Sequence, residues 1–337
     1  MAAKKLTPMK FKPKFVPKIW GARRLETILG KKLPDNGRYG ESWEVSAHPG
    51  DLTPVVYPEW LAGKTIPQIA ESDMAEEAFG KQASGIRTNG FPLLYKFLDA
   101  DDVLSVQVHP DDAYARTNEG DNGKTECWVV IEAQPGSILY KGFRPGADLS
   151  EFEKLLAENK VEWCLNAFEV HRGDVVFIPA KTVHAIGAGI LLAEIQQSSD
   201  VTYRVYDWGR LGSDGQPRPV HVKQAKAVMD VKPPAENTVR PQVVSEFRGG
   251  KHERLAACSK FVLERIVFEA KRKTDLPTAG EGHFSIFSVL DGEITLSWKG
   301  GKVGAARGDS FLVPAGAKEV KVAAAGRASV LNAYLPD

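Results

Sequence analysis

The sequence predicts a mainly β protein built of two double-stranded β-helix (jelly-roll) barrels with short helical insertions. Short strand-like stretches bounded by Gly, Pro, Asn and Asp run through most of its 337 residues, the pattern of a sandwich or barrel. A phrase also recurs, first as Gly173-Asp174-Val175-Val176-Phe177-Ile178-Pro179-Ala180 and again as Gly308-Asp309-Ser310-Phe311-Leu312-Val313-Pro314-Ala315. A Gly-Asp turn feeding a short apolar strand that closes at Pro suits one hairpin of a jelly roll, with Gly for φ > 0 and Pro where the ladder stops. Between the two copies, Val231-Lys232-Pro233-Pro234-Ala235-Glu236-Asn237 offers little to anchor a core and two prolines that resist helix and ladder alike. The expected division is therefore a first domain over 1–230, a linker over 231–241 and a second domain over 242–337.

In chain order, the expected strands are Leu93 to Leu98, Val103 to His109, Glu126 to Glu132, Val175 to Pro179 and Ile190 to Gln196. In the second domain they are Phe261 to Phe268, Phe284 to Leu290, Glu293 to Trp298 and Ser310 to Pro314. Helical patterns sit between strands, at Ile66 to Phe79, Ser150 to Glu158 and Val222 to Met229. The first reads as an insertion near 60–80, a small cap.

Composition narrows the function. With 43% hydrophobic and 26% charged residues the chain is an ordinary globular one, and 44 Lys and Arg against 43 Asp and Glu leave a formal charge of +1. Such a balance gives no global field for nucleic acid or an anionic bilayer, so a charged ligand must be met locally. Three cysteines, Cys127, Cys164 and Cys258, support neither a disulfide framework nor a zinc ribbon. No secretory or membrane-spanning pattern is present, and a reducing cytoplasm is the expected compartment.

Four short segments carry candidate chemistry. In Leu104-Ser105-Val106-Gln107-Val108-His109 the two-residue period puts Ser105, Gln107 and His109 on one face, opposite the apolar residues. By the same period Lys124 and Glu126 share a face at the start of the next strand. His184 follows the first repeat phrase, eleven residues after Gly173, where the second copy has Glu319. Downstream come Glu194, then Asp200 and Arg204, the last a fixed cation for an anionic substrate. Each segment alone also reads blandly, as a wet strand face, a surface ion pair, a core histidine or an exposed arginine. Together, Gln107, His109, Glu126 and His184 come from neighbouring strands of one barrel, and two imidazoles, a carboxylate and an amide oxygen suit Zn²⁺.

These motifs, Ser105-Val106-Gln107-Val108-His109-Pro110, Gly123-Lys124-Thr125-Glu126, Pro179 with Val183-His184-Ala185, and Glu194 with Ser199-Asp200 and Tyr203-Arg204, resemble the type I mannose-6-phosphate isomerases of the cupin superfamily, in their short bacterial branch. Gly40-Glu41-Ser42-Trp43-Glu44 and Phe91-Pro92-Leu93-Leu94-Tyr95-Lys96 extend the resemblance over about residues 11–230, and the repeat phrase carries it on toward the end. It implies a catalytic cupin domain followed by a degenerate one. It also implies one Zn²⁺ per chain on Gln107, His109, Glu126 and His184, with Lys124 and Arg204 lining the substrate pocket and Asp200 in the same acid/base surroundings. The implied reaction interconverts mannose 6-phosphate and fructose 6-phosphate through a cis-enediol.

Lys124 is the first candidate for the base, since a nearby dication lowers an ammonium pKa, whereas Arg204 cannot release its proton. Two alternatives stand beside this reading: a cupin glucose-6-phosphate isomerase, because the ligand set does not read the C2 configuration, and a sugar-phosphate-binding cupin without turnover. The expected partner is a small sugar phosphate, with no nucleic acid and no membrane. The sequence assigns neither phosphate-binding residues nor an oligomeric state.

Overall fold

The computed structural model describes residues 5–275 and 282–336, and antiparallel sheets dominate it. In the first half, a six-stranded sheet runs in the order Val175–Ile178, Glu126–Ala133, Ile190–Gln197, Leu93–Ala100, Tyr39–Val45 and Lys14–Ala22. A five-stranded sheet runs Tyr203–Tyr206, Val106–Val108, His184–Ile186, Ile138–Phe143 and Leu165–Glu169. Their facing sides share one core, in which Leu98, Trp128, Val130 and Leu192 of the first sheet meet Leu139 and Ile186 of the second. This is the first jelly-roll barrel.

Both faces of each sheet are covered, which explains why the strands read as continuous apolar runs. In Leu93–Ala100, Lys96 and Leu98 turn into the barrel, while Tyr95 and Phe97 turn toward the second half of the molecule. On the five-stranded sheet, Val106, Val108, Ala185 and Val205 face outward beneath Phe152 and Leu155 of the helix Leu149–Ala157 and Ala225 and Val228 of the helix Val222–Val228. The polar face of the Gln107 strand is therefore the barrel interior. What the alternation presents as core and wet face are two buried faces of different chemistry.

The second half pairs Gln242–Phe247, Gly250–Ala257, Val262–Phe268, Ala328–Tyr334, Ser285–Asp291 and Ser310–Val313 in one sheet, and Arg272–Asp275, Lys321–Ala324, Glu293–Trp298 and Gly301–Ala306 in another. Ile266, Phe287, Val289, Leu296 and Val322 join them into a second barrel. The first strand of the chain, Met9–Phe11, lies in this second barrel, where Met9 pairs with Leu312.

The expected helix from Ile66 to Phe79 is broken into Ile66–Ala70 and Ala75–Phe79, followed by Ala83–Asn89. Between the first two, the Ser72 hydroxyl donates to the Ile69 carbonyl and accepts from the Met74 amide, the local competition by which Ser ends helices. The insertion does not cap the first barrel. Ile69, Phe79 and Ile86 are buried between the halves, and Phe79 packs edge-on to Phe284 of the second barrel at 5.9 Å between centroids.

Candidate active site

The register of the sheets assembles the site. Gln107 lies directly opposite His184 on one neighbouring strand and Arg204 on the other, so three polar side chains cross the inner face in a row. On the facing sheet, Trp128 is opposite Glu194, which is opposite Lys96. Glu126 sits one pleat along from Trp128.

Two histidines are oriented by the backbone. His109 donates its Nδ1 proton to the Val201 carbonyl at 2.8 Å, and His184 donates its own to Thr182 at 2.9 Å. In that tautomer each Nε2 carries an unprotonated lone pair, and both face Glu126, at 3.4 Å from Oε1 for His109 and 3.7 Å from Oε2 for His184. A backbone carbonyl that fixes the tautomer and the ring orientation in this way is what a metal-binding imidazole requires. The Gln107 amide lies 3.3 Å from His184 Nε2 and presents its oxygen by a simple flip.

The donor atoms of His109, Glu126 and His184 fall within 4.8 Å of one another, all in buried residues. Burial pushes the His109 pKa down to about 3, with Lys124 adding to the effect, and it lowers that of His184 as well. Both rings are therefore neutral near pH 7. Burial alone would raise the Glu126 pKa, but the positive charge of Lys124 leads the effects that outweigh it and keep the carboxyl well below its usual range. Neutral imidazoles and an ionised carboxylate are the protonation states a divalent cation needs.

Two observations support a cation here. Glu126 Oε2 is buried with no hydrogen-bond partner, a costly condition that a bound cation would relieve. The Lys124 ammonium already draws on the same donors, at 2.9 Å from Glu126 Oε1 and 3.3 Å from His109 Nε2.

Beside these donors lies a cavity of about 280 Å³, small for a pocket and suited to a small polar ligand. Gln107, Lys124, Glu126, Asp200, Arg204 and Arg218 all line it. Asp200 is exposed, with its backbone amide bonded to Asp121 at 3.3 Å. Arg204 donates through Nη1 to the Pro219 carbonyl at 2.8 Å, and its buried Nε has no partner. All seven residues singled out in the sequence thus lie at the donor cluster or on the cavity wall.

On the remaining wall, the sequence names Glu194 without a role and holds Lys96 and Glu41 only within the family motifs, while Lys18 has no sequence signal. Lys96 lies 3.3 Å from Glu194 and 3.7 Å from Glu41, and Lys18 lies 2.9 Å from Glu41. Despite burial, Lys96 and Lys18 hold the Glu41 carboxyl down to about 2. Glu194 goes the other way, up to about 7, because burial and the Glu126 charge outweigh Lys96 and Lys124. One signal was available: Lys96 and Glu194 each interrupt an apolar run that reads as a buried strand, and a buried charge needs a partner.

A stability prediction follows for the metal-free protein. Because the folded-state pKa of Glu194 is raised, the stability it contributes is fully present below the ordinary carboxyl range near 4.5 and is lost as pH rises toward about 7. Glu194→Gln should therefore flatten the decline in urea midpoint between about pH 5 and 7.5 relative to the parent. Parallel curves for the two proteins would contradict the assignment.

The fold and the site together define a class: a two-barrel cupin with a candidate metal centre of two histidines and a glutamate facing a charged cavity. Comparison with known proteins narrows it. The model of the phosphomannose isomerase type I catalytic domain matches residues 9–135, and that of the mannose-6-phosphate isomerase cupin domain matches residues 272–332. Mannose-6-phosphate isomerase from Streptococcus mutans is 41% identical over 66% of this chain and 67% of its own. Mannose-6-phosphate isomerase ManA from Bacillus subtilis is 34% identical over 94% and 95%. A crystal structure of the mannose 6-phosphate isomerase from Bacillus subtilis superposes with a TM-score of 0.87 at 30% identity, covering 98% of this chain and 100% of that one. The chain belongs to the type I phosphomannose isomerase family. No described helix is long and apolar enough to cross a membrane.

Proposed function

We propose that this chain interconverts mannose 6-phosphate and fructose 6-phosphate, using one zinc ion held by Gln107, His109, Glu126 and His184. The observation that carries the reading is the Lys124 ammonium, 2.9 Å from Glu126 and facing the cavity, because a site that only bound metal has no use for it. A divalent cation bound there supplies Lewis-acid polarisation of a sugar oxygen.

The side chains of the chain do the rest. As the free amine, Lys124 takes the C2 proton of mannose 6-phosphate while O1 gains a proton, giving a cis-enediol; it then returns the proton to C1 while O2 loses its own, giving fructose 6-phosphate. Glu126 is ionised and committed to the cation, so it is not the base. The guanidinium groups of Arg204 and Arg218 receive the anionic end of the substrate, with Asp200 lining the same cavity. Bonding between Arg218 and Asp207 at 2.7 Å fixes the orientation of that guanidinium. Lys96, tied to Glu194 and Glu41, provides a second fixed positive charge on the opposite side. In this reading residues 1–230 carry the chemistry, and residues 242–337, with Glu319 in the place of His184, give structural support without a metal of their own.

A coupled assay tests the substrate. The protein is incubated with mannose 6-phosphate or glucose 6-phosphate, with and without a chelator, and fructose 6-phosphate is followed. Fructose 6-phosphate should form from mannose 6-phosphate and cease to form on chelation. Equal or faster turnover of glucose 6-phosphate would reassign the substrate, and binding of mannose 6-phosphate without turnover would leave a sugar-binding cupin.

A further inference from the structure

Lys124 occupies a short segment between the helix Asp112–Asn118 and the strand Glu126–Ala133, and the amides around it are held from one point. Gly123, on one side, donates its amide to Asp112 Oδ1 at 2.9 Å. Thr125, on the other, donates its amide to Gln197 Oε1 at 3.1 Å, and Gln197 Nε2 donates to the same Asp112 oxygen at 2.8 Å. Gln197 also donates its own amide to the Thr125 carbonyl at 3.2 Å. The segment is pressed against the helix start, since a Cβ at Gly123 would meet the Asp112 nitrogen at 2.4 Å. One carboxylate thus sets the backbone on both sides of the lysine.

The other oxygen of that carboxylate is held by the second barrel. Lys260, in the turn between Gly250–Ala257 and Val262–Phe268, places its ammonium 2.5 Å from Asp112 Oδ2. Lys260 is remote in sequence from every residue of the cavity wall and does not line the cavity.

We propose that Lys260 is a positioning residue for the isomerisation: through Asp112 and Gln197, the second barrel fixes the 123–125 segment and with it the reach of the Lys124 ammonium. The inference rests on the reading that Lys124 transfers the proton. It gives the metal-free barrel a part in turnover beyond supporting the fold. A misplacement of the reacting group by a fraction of an ångström is felt in kcat, because the geometry of transfer is steep, and much less in substrate binding.

The test uses the full chain, loaded with zinc, as Lys260→Met and Lys260→Arg. In Lys260→Met, kcat should fall about five-fold, the scale of a partly exposed ion pair, while KM changes less than about two-fold and metal content does not change. Hydrogen exchange of the amides at 123–125 should quicken in the same variant. Lys260→Arg, which keeps a cation within reach of Asp112, should restore both kcat and protection. Unchanged kcat and unchanged protection in Lys260→Met would overturn the proposal. So would an equal loss in Lys260→Arg, or a loss of rate accompanied by loss of zinc. If the parent protein does not isomerise the sugar phosphate, the functional reading fails by itself, and exchange at 123–125 then decides on the Lys260 relay alone: quickened exchange upholds it and unchanged exchange ends it.

Discussion

Alanine at both His109 and His184 is expected to abolish stoichiometric metal binding and, with it, turnover. Both Nε2 atoms face one buried carboxylate and both rings are locked by backbone carbonyls, and among the described residues they are the two imidazoles of the donor cluster. Losing a group that only hydrogen-bonds a metal-binding side chain already costs about 10–100-fold in affinity, and loss of two direct ligands should exceed the upper end of that range. The fold should survive, because the paired strands around the site do not depend on these two side chains for their ladders. Elemental analysis of the purified double variant reads the result directly. Zinc retained at about one equivalent would remove His109 and His184 from the ligand set.

Replacing Lys124 by methionine is expected to lower kcat by about 10² or more while zinc content stays at the parental level, since a proton-transfer group acts mainly in the transition state. Exchange of the substrate C2 hydrogen with deuterated solvent should fall in parallel, because the enediol then forms less often. A second effect separates metal-free from metal-loaded protein. Without zinc, Glu126 loses the cation 2.9 Å away, and an unpaired buried carboxylate costs about 3 kcal/mol or more. With zinc bound, that carboxylate keeps a partner. The Lys124→Met chain should therefore melt well below the parent when metal-free and close to it when loaded. Near-normal kcat would pass the role of base to Asp200, which lies on the same cavity wall.

Much of this site was legible because strands alternate. The two-residue period that places Gln107 beside His109, and Lys124 beside Glu126, survives in the structure even though the paired strand narrows to Val106–Val108 and the next one begins only at Glu126. The repeat phrase is equally direct: Val175–Ile178 and Ser310–Val313 are strands, one in each barrel. What a local pattern does not carry is the neighbour across the ladder. Lys96 and Glu194 lie almost a hundred positions apart and meet only because Leu93–Ala100 pairs with Ile190–Gln197 in one particular register. Lys18, and the role of Glu41 within its motif, were not legible for a different reason. Their strands, Lys14–Ala22 and Tyr39–Val45, are interrupted by Pro17, Gly21 and Gly40 and by charges on the cavity side, so neither shows an apolar run. The insertion after Thr65 was read as one helix because its apolar spacing persists through Ser72, whose hydroxyl ends the first turn instead.

We infer that a single metal on the His109, Glu126 and His184 cluster enables the isomerisation. It is tested most directly by stripping the protein with a chelator, returning zinc in fractions of an equivalent and following fructose 6-phosphate formed from mannose 6-phosphate. Activity should rise in proportion to zinc, level off at about one equivalent per chain and fail to rise in His184→Ala. Full activity in the stripped protein, or an equal recovery in His184→Ala, would contradict it.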